Sequence, residues 1–518
     1  MPFTSPFPPV DIPDISIVTY LLGELSEDDA HRRAVVDLHA GVTLTYGELS
    51  SAVDHFAAAI AADTDNGETV ALMGPNSARW VVAYLGALKA GVVVTPVTTL
   101  ANASEVAKQL TASKAMKIYA DPVVLEAARA GAEQAGLDAG AARDLDSVDL
   151  SPETATPFVD RVVAPVTQVA TLPFSSGTTA LPKGVSLTHR NLVANLCQLD
   201  EPLGIDHHSA VLGLLPFAHI YGMTVVVNLS LRRRATIVTM RSFDLDTLLD
   251  VIERERLTHL PVAPPVMVAI GKSPSLDGRD LSSVRLVLSG AAPLDATLAG
   301  AVATRLGCAV RQAYGMTEMS PVSHIAPLSV DNIAPASVGL TVANMTCKLV
   351  DPETGQERGL PQSGVSERGE LWCKGPNVML GYLDNPTATA TTLDAEGYLH
   401  TGDIAVVDSQ GAVTIVDRLK ELIKYKGYQV APAEIEGLLL EHPDIADVAV
   451  VGDPIGDGDE APHAYVVVAP GAIIDEDTVL SYVQERVAPY KKVRAVSFID
   501  AVPKSASGKI LRRTLRKS

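Results

Sequence analysis

The hydrophobic positions in the first part of the chain alternate between continuous apolar runs and amphipathic stretches. Segment 69–97 holds an apolar run rich in β-branched residues, a Pro-Asn turn, an apolar helical stretch and a second such run. Related patterns recur at 43–54, 235–262 and 284–294. Strands that alternate with helices are typical of parallel sheets with crossover helices. We therefore predict an α/β fold with mostly parallel sheets in this part of the chain.

A different pattern begins near residue 345. Short β-rich runs separated by Gly and Asp turns fill 347–417, and helix, strand, strand and helix patterns follow in 430–487. The first set predicts a β-rich subdomain, and the last stretch, about a hundred residues, has the size of a small α+β domain. We predict a large domain 1–416, a hinge 417–420 and a small domain 421–518.

Composition and charge narrow the choice of partners. The composition, 47% hydrophobic and 20% charged residues, is that of a globular protein. The length of 518 residues predicts more than one domain. The net charge of −20 argues against nucleic acid or an anionic membrane as partner, although a local basic pocket can still bind a small anion. The four cysteines form no CxxC pair, which argues against a structural zinc site or a disulfide framework. Without a signal-peptide pattern or an apolar run near the ~20 residues that span a bilayer, we expect a cytoplasmic protein without membrane insertion.

The segment 172–185, LPFSSGTTALPKGV, is the first candidate for chemistry. Its serine and threonine hydroxyls, its glycines and Lys183 together suit a polyphosphate. It is not a Walker A loop, because Lys183 precedes Gly184 and a strand pattern, not a helix, follows. A solvated hairpin remains the alternative for this segment taken alone.

The loop and six further segments resemble motifs of one known family, and they occur along the chain in the order typical of that family. The loop resembles the [ST]SGTTGxPKG motif of the adenylate-forming superfamily, which contains acyl- and aryl-CoA ligases, adenylation domains and luciferases, with Ala180 in place of a glycine. The likeness is greatest to bacterial 4-coumarate:CoA ligase-like enzymes. The other matches are PFAHIYG at 216–222, SGAAP at 289–293, QAYGMTE at 312–318, TGD at 401–403, DRLK at 417–420 and PKSASGK at 503–509. The resemblance implies a large AMP-binding domain and a small mobile cap.

The resemblance also implies a nucleotide site. Tyr314 would stack on adenine, Asp403 would accept both ribose hydroxyls, and Glu318 with Thr178 would hold Mg²⁺ against the ATP phosphates. The full set of implied ATP or AMP contacts is Ser175, Ser176, Gly177, Thr178, Thr179, Lys183, Ala291, Gln312, Ala313, Tyr314, Gly315, Thr317, Asp403, Arg418, Lys420, Gln429 and Lys509. Taken singly, Glu318, Arg418 and Lys509 also have ordinary structural explanations: a helix cap, an ion pair in a turn and a solvated tail.

Catalysis and coenzyme A binding are assigned in the same way. The implied catalytic residues are Lys509, His219, Glu318 and Lys183. Lys509 would bridge the substrate carboxylate and the α-phosphate, and His219 would gate the carboxylate and thiol paths. Lys424, Lys426 and Gly427 would face CoA once the cap has turned. Arg241 is a candidate for the CoA phosphates, since the family often has a lysine where this chain has Ser242.

The implied acyl pocket predicts the class of acid. Its residues are Tyr221, Met223, Ser289, Gly290, Ala313, Pro321 and Val322, and no acidic residue occurs in 217–227 or 289–294. A neutral acid is therefore expected, and the methyl group of Ala313, where the family usually has glycine, should shorten the pocket. We predict an ATP-, Mg²⁺- and CoA-dependent ligase for a cinnamate-like, 4-coumarate-like or medium-chain acid, as monomer or homodimer. The alternatives are an enzyme that loads a carrier protein, a luciferase-like oxygenase and a non-catalytic nucleotide-binding scaffold.

Overall fold

Five sheets organise the chain in the computed structural model, which describes residues 2–151, 156–175, 183–290, 294, 296–426, 428–456, 459–505 and 508–516. The first sheet has the order Gly381–Tyr382, Lys183–Thr188, Val169–Thr171, Val93–Val97, Thr69–Met73, Ala115–Ala120 and Ala142–Asp144, and Phe174–Ser175 also pairs with Lys183–Thr188. Its pairs from Val169–Thr171 to Ala142–Asp144 are parallel, whereas Lys183–Thr188 runs antiparallel to its neighbours.

The second sheet also has a parallel centre, and it is antiparallel at both edges, whereas the first sheet is antiparallel at one edge only. Its order is Leu340–Thr341, Val322–Ile325, Ala309–Gly315, Leu286–Ser289, His259–Val262, Ala210–Gly213, Thr236–Thr239, Arg33–Asp37 and Val42–Thr45. Helix Ala78–Lys89 begins at the Ser77 cap and buries nearly its whole surface, including Trp80. Its apolar sequence fits a helix covered on all sides. The predicted mostly parallel α/β architecture is confirmed.

The third sheet is antiparallel and forms the predicted β-rich subdomain. Its order is Phe3–Thr4, Thr346–Val350, Gly369–Lys374, Leu399–Val407 and Val413–Arg418, and Glu357–Arg358 pairs with Thr346–Val350. The N-terminal strand was not predicted, since two residues carry no hydrophobic period.

The last two sheets belong to the small domain, which we call the cap and count from Glu421 onward. They are the hairpin Ile423–Tyr425 with Tyr428–Val430, and the sheet Ile445–Gly456, Asp459–Val468 and Ala495–Phe498. Helices Pro432–Leu440 and Glu476–Gln484 cover the latter around Ile435, Val450 and Val479. A separate small cluster of Ile404, Leu422 and Ala431 lies at the junction with the large domain. The proposed hinge 417–420 falls at this junction.

The remaining helices complete the layers. The other α-helices are Ile17–Leu22, Glu27–Ala30, Tyr46–Ala61, Ala103–Ser113, Leu125–Gln134, His189–Leu199, Leu229–Arg232, Leu245–Glu255, Pro264–Lys272, Ala296–Leu306 and Pro386–Thr392. A π-helix spans Gly222–Asn228, and 3₁₀ turns cover Pro122–Val124, Leu145–Ser147, Pro274–Leu276, Thr317–Met319, Pro489–Lys491 and Arg512–Thr514. Among the described residues, none of the helices combines the length and the apolar character required for a bilayer crossing.

Candidate active site

Ser175, Lys183 and Glu318, which the sequence predicts to bind phosphate or Mg²⁺, form what we call the candidate phosphate region. Glu318 belongs to the turn Thr317–Met319 and is only 5% exposed. Its Oε1 accepts hydrogen bonds from Ser175 Oγ at 3.1 Å and from the hydroxyl of Tyr382 at 2.9 Å. The Nζ of Lys183 lies 4.8 Å from the centroid of the Tyr382 ring. Three predicted residues from two distant motifs, Ser175 and Lys183 from one and Glu318 from the other, are thus brought together. Tyr382, which was not predicted, contacts Lys183 and Glu318.

Strand register explains this grouping. Ser175 lies directly opposite Lys183, and Tyr382 lies opposite Val185 on the other side of the same strand. Because side chains alternate along a strand, Lys183 and Val185 share a face, and Lys183 is diagonal to Tyr382. The predicted nucleotide contacts Ser176, Gly177, Thr178, Thr179 and Ala291 lie outside the described residues.

A buried amide network fixes the loop that follows Glu318. Asn195, fully buried on helix His189–Leu199, donates from Nδ2 to the carbonyl of Val322 at 2.7 Å and accepts from the Val322 amide at 3.1 Å. Asn377 donates from Nδ2 to the carbonyl of Met319 at 2.7 Å, and Ser320 Oγ donates to the carbonyl of Asn377 at 2.8 Å. A buried amide that lost such partners would be costly, so the network holds the turn in one position. Sequence reasoning missed it.

A second carboxylate marks the predicted ribose region. Asp403, 3% exposed, lies directly opposite Arg418 on the neighbouring strand. Its Oδ1 is 3.2 Å from Arg418 Nε, and its Oδ2 accepts a hydrogen bond from the Tyr314 hydroxyl at 2.5 Å. Burial raises the pKa of Asp403, against the opposing charge of Arg418 and the hydrogen bond from Tyr314. Burial and the charge of Asp403 raise the pKa of Tyr314 well above its ordinary value, so this phenol stays a donor.

The C-terminal lysine reaches this region from the cap. Lys509 is half-buried, and its amide donates to Ser505 Oγ at 3.2 Å. Burial lowers the pKa of Lys509 to about 8, with Arg418 and Arg512 acting in the same direction and Glu421 and Asp403 opposing them. On the other side, burial and the charge of Lys509 lower the pKa of His219 to about 4. Lys509 therefore lies within electrostatic reach of both Asp403 and His219.

The tail that carries Lys509 is fastened to the cap by an arginine. The guanidinium of Arg512 lies 2.6 Å from Glu421 and 2.6 Å from Glu436, and its Nε donates to the carbonyl of Val450 at 3.2 Å. Because Glu421 follows the proposed hinge directly, this ion pair couples the tail to the start of the cap. Lys420, a predicted nucleotide contact, lies in the turn just before Glu421.

Two of the segments that hold predicted acyl residues are in contact with each other. The hydroxyl of Tyr221 donates to the carbonyl of Leu288 at 3.1 Å, which joins the PFAHIYG segment to strand Leu286–Ser289. A Cβ on Gly290 would lie 2.8 Å from the Tyr221 ring, so only glycine fits there. Ser289, at the end of the strand, is 1% exposed.

The other side of the predicted pocket comes from the π-helix and the loop after Glu318. Met223 is fully buried in Gly222–Asn228, and Thr224 Oγ1 donates to the carbonyl of Ser320 at 2.9 Å. Ser320 leads into Pro321 and Val322, both buried. A Cβ on Gly315 would lie 2.2 Å from the Pro321 carbonyl oxygen, which explains this glycine. Ala313 is half-buried opposite Ile325.

Comparison with known proteins identifies the family. The model of the AMP-binding enzyme family matches residues 25–383, and that of its C-terminal domain matches residues 434–509. The chain belongs to the AMP-binding enzyme family. The predicted adenylate-forming architecture, with a large N-terminal and a small C-terminal domain, is confirmed. The predicted enzyme class, an AMP-forming acid–thiol ligase, is confirmed at the level of the family.

Relatives of this AMP-binding enzyme extend over nearly its whole length. It is 39% identical to 4-coumarate--CoA ligase 5 of Oryza sativa subsp. japonica and to 4-coumarate--CoA ligase 1 of Petroselinum crispum, over 99% of this chain and 96% of each relative. The ATP-bound MatB of Rhodopseudomonas palustris superposes with a TM-score of 0.85 at 29% identity, over 97% of this chain and 98% of that one. The o-succinylbenzoate CoA synthetase of Bacillus subtilis, in complex with its acyl-adenylate intermediate, superposes with a TM-score of 0.83 at 26% identity. This superposition covers 98% of this chain and 99% of that one.

Several predicted contacts of the AMP-binding enzyme have other partners in this structure. The side chain of Gln312 is buried and donates to the carbonyl of Pro335 at 2.6 Å. The exposed Gln429 donates to Glu353 Oε1 at 3.5 Å. The guanidinium of Arg241 is paired with Asp121 at 3.0 Å.

The predicted CoA-facing residues lie on the hairpin of the cap. Lys424 and Lys426 are exposed, and the Nζ of Lys426 lies 5.4 Å over the ring of Tyr425. Gly427 lies outside the described residues. These roles stay predictions.

Proposed function

We propose that this protein is an ATP-dependent acid–CoA ligase for a cinnamate-like, 4-coumarate-like or medium-chain acid. The acid and ATP give an acyl-adenylate and pyrophosphate, and CoA then gives the acyl-CoA and AMP. The observation that carries the proposal is the position of the cap tail: Gly508 packs against Ala263 of the large domain. From there the charge of the neighbouring Lys509 acts on His219 and on Asp403, the partner of Arg418.

Charge explains why the first step needs Lys509. The substrate carboxylate and the α-phosphate are both anions, so the barrier is dominated by repulsion and positioning. The ammonium of Lys509 would neutralise the oxygens between which charge accumulates. Removing one such preorganised donor typically costs about 3–4 kcal/mol of transition-state stabilisation.

The residues around Glu318 fit a magnesium ion. Its buried carboxylate, together with Thr178, would hold the ion through oxygen ligands of the kind Mg²⁺ prefers. The ion would supply neutralisation of phosphate charge when bound. Ser175 and Lys183, placed at the same end of the site, would bind the phosphate oxygens.

The second step requires Lys509 to leave. The polar contacts between large domain and cap are weak at several points: Lys272 Nζ donates to the carbonyl of Ile445 at 3.2 Å, and Gln429 reaches Glu353 at 3.5 Å. At a third point Gly508 packs close to Ala263. Rotation about 417–420 would withdraw Lys509 and bring the Lys424–Lys426 hairpin to the site. Such cap motion is a common means of running two half-reactions in one pocket.

The lining of the pocket supports a neutral acid. Tyr221, Met223, Gly290, Ala313 and Val322 carry no charge. An acid with an amino group would find no carboxylate partner among them. The names of the plant relatives agree with an aryl-propenoic acid.

Acid-dependent exchange of pyrophosphate into ATP tests the first step directly. We would measure it for cinnamate, 4-coumarate and straight-chain acids from hexanoate to palmitate, and then measure thioester formation with CoA. The expected result is exchange that is lost in Lys509→Ala, with the highest kcat/KM for an aryl-propenoic or medium-chain acid. A clear preference for palmitate would contradict the substrate class. Exchange without CoA-dependent release of AMP would indicate a carrier protein as acceptor, and ATP binding without exchange would indicate a scaffold.

A further inference from the structure

Tyr382 contacts both charged groups of the candidate phosphate region, Lys183 and Glu318. Its hydroxyl donates to Glu318 at 2.9 Å, and the ammonium of Lys183 lies over its ring at 4.8 Å. Lys183 and Glu318, both described, form no ion pair with each other within 4.0 Å. A single aromatic side chain thus stands between two opposite charges.

We propose that Tyr382 is a positioning residue for adenylate formation, which keeps Lys183 and Glu318 apart and oriented for phosphate and Mg²⁺. The inference rests on the proposed function. A cation is attracted to the face of an aromatic ring, whereas a phenol hydroxyl donates to an anion at the ring edge. One tyrosine can therefore bind both groups without letting them neutralise each other. Without it, a direct Lys183–Glu318 pair would have to break before MgATP could bind.

Tyr382 is itself held firmly. Its amide donates to Thr389 Oγ1 at 2.9 Å on helix Pro386–Thr392, and its strand pairs with Lys183–Thr188. A Cβ on Gly381 would lie 2.8 Å from Thr389 Cγ2, so the preceding residue packs closely against that helix. A rigid donor of this kind can orient a carboxylate before its ligand arrives.

Two substitutions separate the two contacts. Tyr382→Phe removes the hydroxyl and keeps the ring, so the Mg²⁺ concentration for half-maximal pyrophosphate exchange should rise about tenfold. Tyr382→Leu also removes the ring, so the KM for ATP should rise by about a further fivefold. Calorimetric titration of ATP at several Mg²⁺ concentrations gives a second readout that does not require turnover, and it should show the same order of variants.

The second half-reaction separates positioning from damage to the fold. Thioester formation from a preformed acyl-adenylate and CoA needs neither Mg²⁺ nor the β- and γ-phosphates, so both variants should retain it. Tyr119→Phe is a matched control, since that hydroxyl accepts from Arg143 at 3.3 Å and a guanidinium lies 5.7 Å over its ring. In the first sheet, three strands separate the strand of Tyr119 from Lys183–Thr188. The kinetics of this variant should equal those of the wild type.

Two results would overturn the inference. One is a Tyr382→Phe enzyme whose Mg²⁺ dependence, in exchange and in calorimetry, equals that of the wild type. The other is an equal loss in both half-reactions, which would mean a general structural role. If the wild type exchanges pyrophosphate with none of the acids, the proposed function fails, and the calorimetric Mg²⁺ dependence of ATP binding still decides the role of Tyr382.

Discussion

The charge on Lys509 should set the upper pH limit of adenylate formation. Burial, with Arg418 and Arg512 nearby, lowers the pKa of this lysine to about 8. A single group with that pKa is about 90% charged at pH 7 and about 10% charged at pH 9, whereas an ordinary lysine stays charged until about pH 10. Since only the ammonium can neutralise the reacting anions, kcat/KM should fall about tenfold over this interval.

The assay is pyrophosphate exchange in the absence of CoA, followed from acidic to strongly alkaline pH. Omitting CoA removes the titration of its thiol, and kcat/KM reports the groups of the free enzyme. His219, whose pKa burial and the charge of Lys509 lower to about 4, is neutral above about pH 6, so it does not contribute to the fall of kcat/KM at alkaline pH. Bound ATP phosphates should raise the pKa of Lys509. The fall of kcat with rising pH should therefore occur at higher pH than the fall of kcat/KM.

Lys509→Arg provides the decisive comparison. A guanidinium keeps its charge at every pH of the assay but cannot occupy the same geometry. We expect a slower enzyme whose kcat/KM no longer falls above neutral pH. A wild-type profile that stays level to about pH 10 would refute the reasoning, since that is the range of an unperturbed lysine. An unchanged limb in the arginine variant would refute it equally, because another group would then be titrating.

Three further substitutions test separate parts of the site. Asp403→Asn removes the charge opposite Arg418, and calorimetry should show ATP binding weakened about tenfold or more; unchanged affinity would contradict the ribose role. Arg512→Met leaves Glu421 and Glu436 without their cation and should lower the free energy of unfolding of the cap by ~3–5 kcal/mol, measured by chemical denaturation; a neutral result would show that the ion pair does not fasten the tail. Ala313→Gly should improve kcat/KM for longer or bulkier acids by about tenfold relative to cinnamate, and no improvement would refute the methyl argument.

Regular hydrophobic patterns predicted most of the fold. The parallel strands Thr69–Met73 and Val93–Val97, with helix Ala78–Lys89 between them, follow the expected order. Two features had no such signal. The strand Phe3–Thr4 owes its existence to pairing with Cys347 and Thr346, and the π-helix Gly222–Asn228 depends on hydrogen bonding that no residue type specifies. Long-range pairing and local backbone geometry are therefore the parts that sequence reasoning could not reach.

The candidate site likewise contains residues that the sequence predicted and residues that only the structure revealed. Motif resemblance predicted roles for Glu318, Asp403 and Lys509, because each lies in a segment that matches a motif of the adenylate-forming family. It did not predict Tyr382 or Asn195, which act on other side chains or on backbone from segments distant in sequence. A lone tyrosine or asparagine carries no signal of its partner, so the groups that orient the predicted residues emerge only from the structure.

The pattern of ion pairs around the cap suggests how ATP controls its position. Arg418 is paired with Asp403, and Arg512 with Glu421 and Glu436, whereas no carboxylate within the described residues lies within ion-pair distance of Lys509. A half-buried ammonium without an anion opposes the docked arrangement, which is the physical meaning of its lowered pKa. The α-phosphate and the substrate carboxylate would supply the missing anions. Docking of the cap should therefore be favoured when both substrates are bound, and their conversion to a less charged adenylate would weaken that attraction and release Lys509 for the second step.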